Sequence, residues 1–219
     1  MVRWEPNARE RLEKAAMELY RERGFDETAV ADIAARAGLT ERTFFRHFAD
    51  KREVLFGASL ALHELLARSI AATPASLAPL DAVAAALEAT SSLFDGRRPF
   101  AKARQAIIAA NAALQERELT KLASLASALA LALRSRGVPD PAATLAAETG
   151  IAIFKLAFEQ WVMDDKKRGL AHHVRAALDA LKAVAAEGKR RPGRSKPRPP
   201  SETKKTARSE KKKTPQPRR

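Results

Sequence analysis

Thr28–Phe48, TAVADIAARAGLTERTFFRHF, is the stretch whose reading decides the fold. Val30, Ile33, Ala34 and Ala37 recur at helical spacing, and Thr28 stands where an N-cap is expected. Gly38 supplies a residue able to take positive φ, which closes this first helix at once. Leu39 fills the turn, and Thr40 caps a second helix that starts at Glu41. Two short helices around a tight turn are the sequence form of a helix-turn-helix, whose second helix fits the DNA major groove.

A helical wheel sorts the faces of the second helix. At about 100° per residue, Phe44 and Phe48 fall on one side and are expected to pack on the preceding helices. Arg46 points the opposite way with Arg42 and Thr43 beside it, while Phe45 and His47 lie on the flanks. Such a face offers donors for base edges and phosphates. Alone, the same pattern also fits a solvated helix with idle arginines.

The surrounding residues decide between these readings. Leu19-Tyr20-Arg21-Glu22-Arg23-Gly24-Phe25, Val30-Ala31-Asp32-Ile33-Ala34, Ala37-Gly38-Leu39-Thr40 and Thr43-Phe44-Phe45-Arg46-His47-Phe48, followed by Lys51 and Leu55, stand at a familiar spacing. On these motifs, residues 7–57 resemble the N-terminal domain of the TetR family of bacterial transcription regulators. The resemblance implies that Thr40, Glu41, Arg42, Thr43, Phe45, Arg46 and His47 meet the groove and that Lys51 meets a phosphate. The family often has tyrosine where Phe45 stands, so a phenol able to bond a phosphate is missing here.

The helices around the motif can be read outward from it. Asn7 and Glu10 form a candidate capping box ahead of a helix with Leu12, Ala15, Ala16, Leu19 and Tyr20 on one stripe. Gly24 ends that helix. Asp50 and Glu53 form a second candidate box, opening one continuous helix from Lys51 to about Ala72 with Leu55, Ala58, Leu62, Leu65 and Leu66 in register. At 1.5 Å per residue it is about 33 Å long, enough to link two domains mechanically. His63, on this helix, reads as a partly buried residue.

Pro79 suits the first position of another helix, which Asp95-Gly96 ends. Residues 99–136 lack a strong breaker and are expected to form two helices divided between Asn111 and Glu118. A loop at 134–141 holds Gly137, Pro139 and Pro141, and helices follow over 141–164 and 170–187. Nothing in 79–187 alternates as a strand does. The fold class is therefore all-α: a three-helix DNA-binding domain over residues 1–50, a helical ligand-binding and dimerisation bundle over 51–187, and a basic tail over 188–219. The bundle's two roles are implied by the resemblance.

Within the bundle, the last two helices (about 141–187) are expected to form a homodimer interface. Ile151, Phe154, Phe158, Trp161 and Val162 make a broad apolar surface on one, and Leu170, Val174, Leu178, Leu181 and Val184 a stripe on the other. Candidate contacts for a small-molecule effector are Phe94, Phe100, Arg104, Gln105, Ile108, Asn111, Phe158 and Trp161, aromatic or isolated polar residues among aliphatic ones.

Composition sets the outer bounds. There is no cysteine, which excludes disulfides and thiolate metal sites. The start MVRWEPNARE has no apolar signal region, and the longest apolar run, Ala123–Leu133, is too short for a membrane span. A cytoplasmic protein without membrane contact is expected. The net charge of +14 is unevenly spread: residues 188–219 hold 14 Lys/Arg against 2 Asp/Glu, leaving the rest at +2. With six prolines and Ala207 as its one hydrophobic residue, that tail is expected to be disordered and attracted to phosphates.

No phosphate loop, nucleophile motif or HExxH is present, and His172 and His173 diverge by about 100° on a helix, so neither an enzyme nor a metal or other cofactor is expected. The reading is a ligand-responsive regulator, most simply a repressor, binding a palindromic double-stranded operator as a homodimer. A basic-tailed architectural DNA-binding protein without an effector is the alternative.

Overall fold

The computed structural model describes residues 7–57 and 59–187, which form ten α-helices and one 3-10 turn. The basic tail, residues 188–219, lies outside the described residues, as does Ala58 of the expected leucine stripe. Helix α1 (Ala8–Arg23), α2 (Val30–Arg36) and α3 (Glu41–His47) make a small head. Asn7 does not cap α1 through its side chain: its φ is 72°, and only its carbonyl accepts, from Arg11 N–H at 3.0 Å. Gly24 ends α1 with φ 89°, as expected.

The cap of α2 also differs from expectation. Ala29 is the residue before the first turn, and the Asp32 carboxylate accepts its N–H at 3.2 Å. Thr28 is instead buried and donates its hydroxyl to the Gly24 carbonyl at 2.8 Å, bracing the preceding loop. Gly38 has φ 65°, and Leu39 N–H closes back on Ala34 carbonyl at 2.8 Å, so the turn expected there forms.

The connection out of the head is two helices, α4 (Glu53–Phe56) and α5 (Ser59–Ala72), not one continuous rod from Lys51. Asp50 accepts from the N–H groups of Arg52 and Glu53 at 2.8 and 3.0 Å, which sets the start. At Gly57 a side-chain carbon would stand 2.2 Å from an Arg9 nitrogen, so the guanidinium of α1 packs directly on this backbone.

The body continues through α6 (Pro79–Thr90), the 3-10 turn Ser91–Phe94, α7 (Arg98–Ala109), α8 (Ala112–Ser135), α9 (Asp140–Met163) and α10 (Leu170–Glu187). Asn111 divides α7 from α8, within the expected window, and its side chain caps α8 by accepting Leu114 N–H at 3.1 Å. Leu66, Ile70, Val83, Leu129, Leu133 and Val174 lie in the body's core. Helices α6 and α9 pack tightly, and a carbon added to Gly150 would stand 2.3 Å from Val83 Cγ1.

By length and composition alone, Asp140–Met163 and the stretch Glu53–Ala72, which runs across α4 and α5, are apolar enough to cross a membrane, a test that core helices also pass. Their apolar residues are interspersed with small and polar ones, so no single run reveals them. On α9 one face, including Ala143, Ala147, Ile151 and Ala157, is buried in the bundle.

Head and body share a boundary rather than a gap. The head's core holds Leu12, Leu19, Ile33 and Phe44, and also Val54, Leu55 and Phe56 of α4. Ile107, Ile108 and Leu114 reach into it from α7 and α8. Helix α4 therefore belongs, by packing, with the three helices before it.

Candidate nucleic-acid interface and adjoining cavity

Helix α3 is held from beneath and from its start. Phe44 is fully buried, and its ring centroid lies 5.5 Å from that of buried Phe48. Thr40 caps the helix as expected, accepting Thr43 N–H on its hydroxyl at 3.2 Å. Thr43 is half-buried, its hydroxyl 3.1 Å from that of Thr40.

With that anchoring, Thr40, Glu41, Arg42 and Arg46 are exposed, and Phe45 is 55% exposed despite its size. Two guanidiniums, each with five N–H donors in a fixed fork, can bond guanine edges or phosphates. His47 is half-buried, and its Nε2 is enclosed with no partner among the described residues. Burial, then Arg46 and Arg9, hold its pKa below the ordinary histidine value.

Lys51 is placed differently from the expectation of a phosphate contact. Its ammonium donates to the carbonyls of Phe25, Asp26 and Thr28 at 2.9, 3.0 and 2.9 Å, over the Phe25 ring. An ammonium has three N–H donors. All three are therefore spent within the head. The Lys51 carbonyl in turn accepts the Tyr20 hydroxyl at 2.6 Å, and burial followed by the Asp50 charge pushes that phenol upward.

Behind α3, the body grips α4 with three cations. Glu53 receives Arg117 Nε at 2.9 Å, a further contact from Arg117 Nη2, and Lys121 at 3.2 Å. Burial works to raise the Glu53 carboxyl, but these donors outweigh it and hold the pKa below the usual range. Arg104 Nε donates to the Leu55 carbonyl at 2.6 Å, Nη1 donates to Glu118 at 2.9 Å, and the guanidinium lies over the Phe56 ring.

A cavity of about 340 Å³ adjoins these contacts. That volume lies within the range of small-molecule sites. Phe94, Phe100, Arg104, Gln105 and Phe158 line it, five of the eight residues expected at an effector site. The other three do not. Ile108 is in the head's core, and Asn111 caps α8 while donating to Asp26 at 3.0 Å. Trp161 is buried with the Arg98 guanidinium over its ring.

Sequence reasoning misses Leu62, His63, Lys121, Leu122 and Phe154 on the cavity wall. Only His63 stands out in the sequence. The rest are ordinary core or surface residues by type and become lining only through placement. Burial, then Lys121, keeps the His63 pKa below its ordinary value.

The apolar residues expected at a dimer interface mostly turn inward. Ile151, Trp161 and Val162 are buried in the chain's own core, Phe154 and Phe158 line the cavity, and Leu170, Val174 and Leu178 are buried on α10. Exposed apolar residues on these helices include Leu145, Leu156 and Met163 on α9 and Ala176, Ala180 and Val184 on α10, beside charged residues such as Glu148, Lys155, Arg175 and Lys182. His173 is buried and meets Asp164 at 3.0 Å, while His172 is exposed; no cluster suited to a metal occurs among the described residues.

Comparison with known proteins bears on the head first. The family model described as "Bacterial regulatory proteins, tetR family" matches residues 12–58. The HTH-type transcriptional regulator TcmR of Streptomyces glaucescens is 37% identical over 81 residues, and this match covers 37% of the chain and 36% of TcmR. The putative mycofactocin biosynthesis transcriptional regulator MftR of Mycobacterium tuberculosis is 28% identical over 176 residues, 78% of this chain and 88% of that one. Among solved structures, SmeT of Stenotrophomonas maltophilia bound to triclosan superposes with a TM-score of 0.57 at 21% identity, covering 81% of this chain and 90% of SmeT. Residues 12–58 thus match the model of the bacterial TetR regulatory family, the chain is similar over most of its length to a transcriptional regulator, and its all-helical body shares the fold of SmeT.

Proposed function

We propose that this chain represses transcription by binding a palindromic operator as a homodimer, and that a small molecule in the cavity behind α4 releases it. The observation that carries the reading is α3, capped by Thr40 and pinned by Phe44 so that Arg42, Phe45 and Arg46 stand exposed together. In this reading the DNA-facing set is Thr40, Glu41, Arg42, Thr43, Phe45, Arg46 and His47. Lys51 acts one step back, fixing the loop before α2.

A single reading helix meets few base pairs, and a two-fold pair reads a palindrome with half-sites about one helical turn apart. The outward apolar residues of α9 and α10 support pairing there, because an apolar face of this kind is seldom left in water. The triclosan held by SmeT supports the cavity as an effector site. Release requires that the effector bind the DNA-incompetent arrangement more tightly; tight binding alone shifts nothing.

We divide the chain functionally into a reading head at residues 1–50, a ligand-binding and dimerising body at 51–187, and the basic segment 188–219. That segment adds sequence-independent attraction to phosphates. Its charge also favours the second reading, an architectural DNA-binding protein. The test is to select bound sites from random duplexes, measure mass in solution, and repeat both after deleting 188–219. The regulator reading expects a dimer, one palindrome preferred by about 10³-fold or more, and a flatter salt dependence after deletion. A monomer binding all duplexes alike would sink it.

A further inference from the structure

The cavity has an apolar lining and one deeply set cation. Phe94, Phe100, Phe154, Phe158, Leu122 and Leu125 supply ring and aliphatic faces. Arg104 lines the same space with its side chain only 17% exposed. Nε and Nη1 are engaged by Leu55 and Glu118. Nη2 has no acceptor among the described residues, yet it is not one of the atoms sealed from solvent. Nη2 thus brings two uncommitted N–H groups to a largely apolar space.

The charges around it favour one sign of ligand. Lys121 is a second cation lining the cavity, 3.2 Å from Glu53. Of the lining acids, Glu118 is bonded by Arg104 and Glu13 by Arg9 at 3.1 Å. Glu159 is exposed on α9, one turn beyond Lys155. Burial works against the charge of Arg104 and Glu118 works for it, so a second anion would ease a cost already present.

We propose that the cavity takes an amphipathic anion, its apolar body against the phenylalanines and its carboxylate or phosphate oxygens on Nη2 of Arg104. This rests on the effector reading above and gives the effector its chemical class. A neutral molecule of the same shape offers Nη2 only an uncharged acceptor, which makes the weaker hydrogen bond, and a cationic one meets Arg104 and Lys121 head-on. The same guanidinium holds the Leu55 carbonyl in α4. An anion that draws Arg104 toward itself competes for that bond, so the charge of the ligand is felt where the body grips the head.

The test uses the full chain and three probes with one alkyl tail: decanoate, decan-1-ol and decylammonium. Binding is measured by calorimetry and release by DNA retention. Decanoate is expected to bind about tenfold or more tighter than decan-1-ol, with decylammonium weakest. Arg104→Gln should erase the preference for decanoate over decan-1-ol, and Arg104→Lys should keep part of it. Thermal unfolding of both variants checks that they fold, and the comparison of probes on the unmodified chain needs neither. Equal binding of decanoate and decan-1-ol overturns the anion assignment and leaves the effector reading standing. If none of the three binds, the anion assignment falls, and so does the cavity as the effector site.

Discussion

The head and the body are both helical, yet they are built on different physics. The head packs large rings in a small space: Tyr20, Phe25, Phe44 and Phe48 are all buried within about thirty residues. The body packs small side chains over long helices, with Ala82, Ala86, Ala143 and Ala157 fully buried and Gly150 against Val83. A core of rings concentrates its stability in a few residues. A core of alanines spreads it thinly and depends on backbones lying close together. The contrast implies that the head breaks by losing volume and the body by gaining it.

The sharpest way to test that contrast is Phe44→Ala. Removing a fully buried aromatic should cost about 3–5 kcal/mol, read by denaturant unfolding. A loss below about 1 kcal/mol would mean that the head collapses around the gap and that ring packing does not set its stability. In the body the opposite change, Gly150→Ala, should destabilise by about 1–3 kcal/mol, even though alanine favours helix. Val83→Ala in the same chain should recover part of that loss. Unchanged or increased stability in Gly150→Ala alone would show that α6 and α9 can separate freely.

On the reading face the effect moves from stability to binding. Arg42→Ala and Arg46→Ala should each weaken operator binding by about 1–3 kcal/mol while leaving the unfolding midpoint unchanged, since both side chains are exposed. Operator affinity retained in both would remove them from the interface. The smallest expected effect is that of Thr40→Ala, about 1 kcal/mol of stability through loss of the cap. If the Thr40 hydroxyl also meets DNA, affinity will fall by more than the stability change explains.

The same contrast explains how much the residues alone disclose. In the head, turn glycines, caps and rings occur at fixed short offsets, so Gly38, Thr40, Phe44 and Phe48 each carry their role in their spacing. Departures there are local. Thr28 reads as a cap because a buried threonine bracing a loop has the same sequence signature. Lys51 reads as a phosphate contact because its three carbonyl partners come from residues more than twenty positions away.

In the body the helices are legible, since proline, glycine and asparagine punctuate them, but their facing is not. Alanine-rich helices are apolar on most sides, so a wheel cannot say which side meets a neighbour. Trp161 therefore reads as a ligand contact or an interface residue, whereas it is buried in the chain's own core beneath Arg98. The break at Gly57 is hidden for a similar reason. What packs there is Arg9, nearly fifty residues earlier in the chain.

One bond in this protein is indifferent to most mutation. Arg104 reaches α4 through the main-chain oxygen of Leu55, which every amino acid supplies. Drift at position 55 can reshape the packing around the junction without removing that acceptor. At this contact variation is therefore confined to the donor at position 104, whereas the grip of Arg117 and Lys121 on α4 depends on the side chain of Glu53 and can be lost from either end.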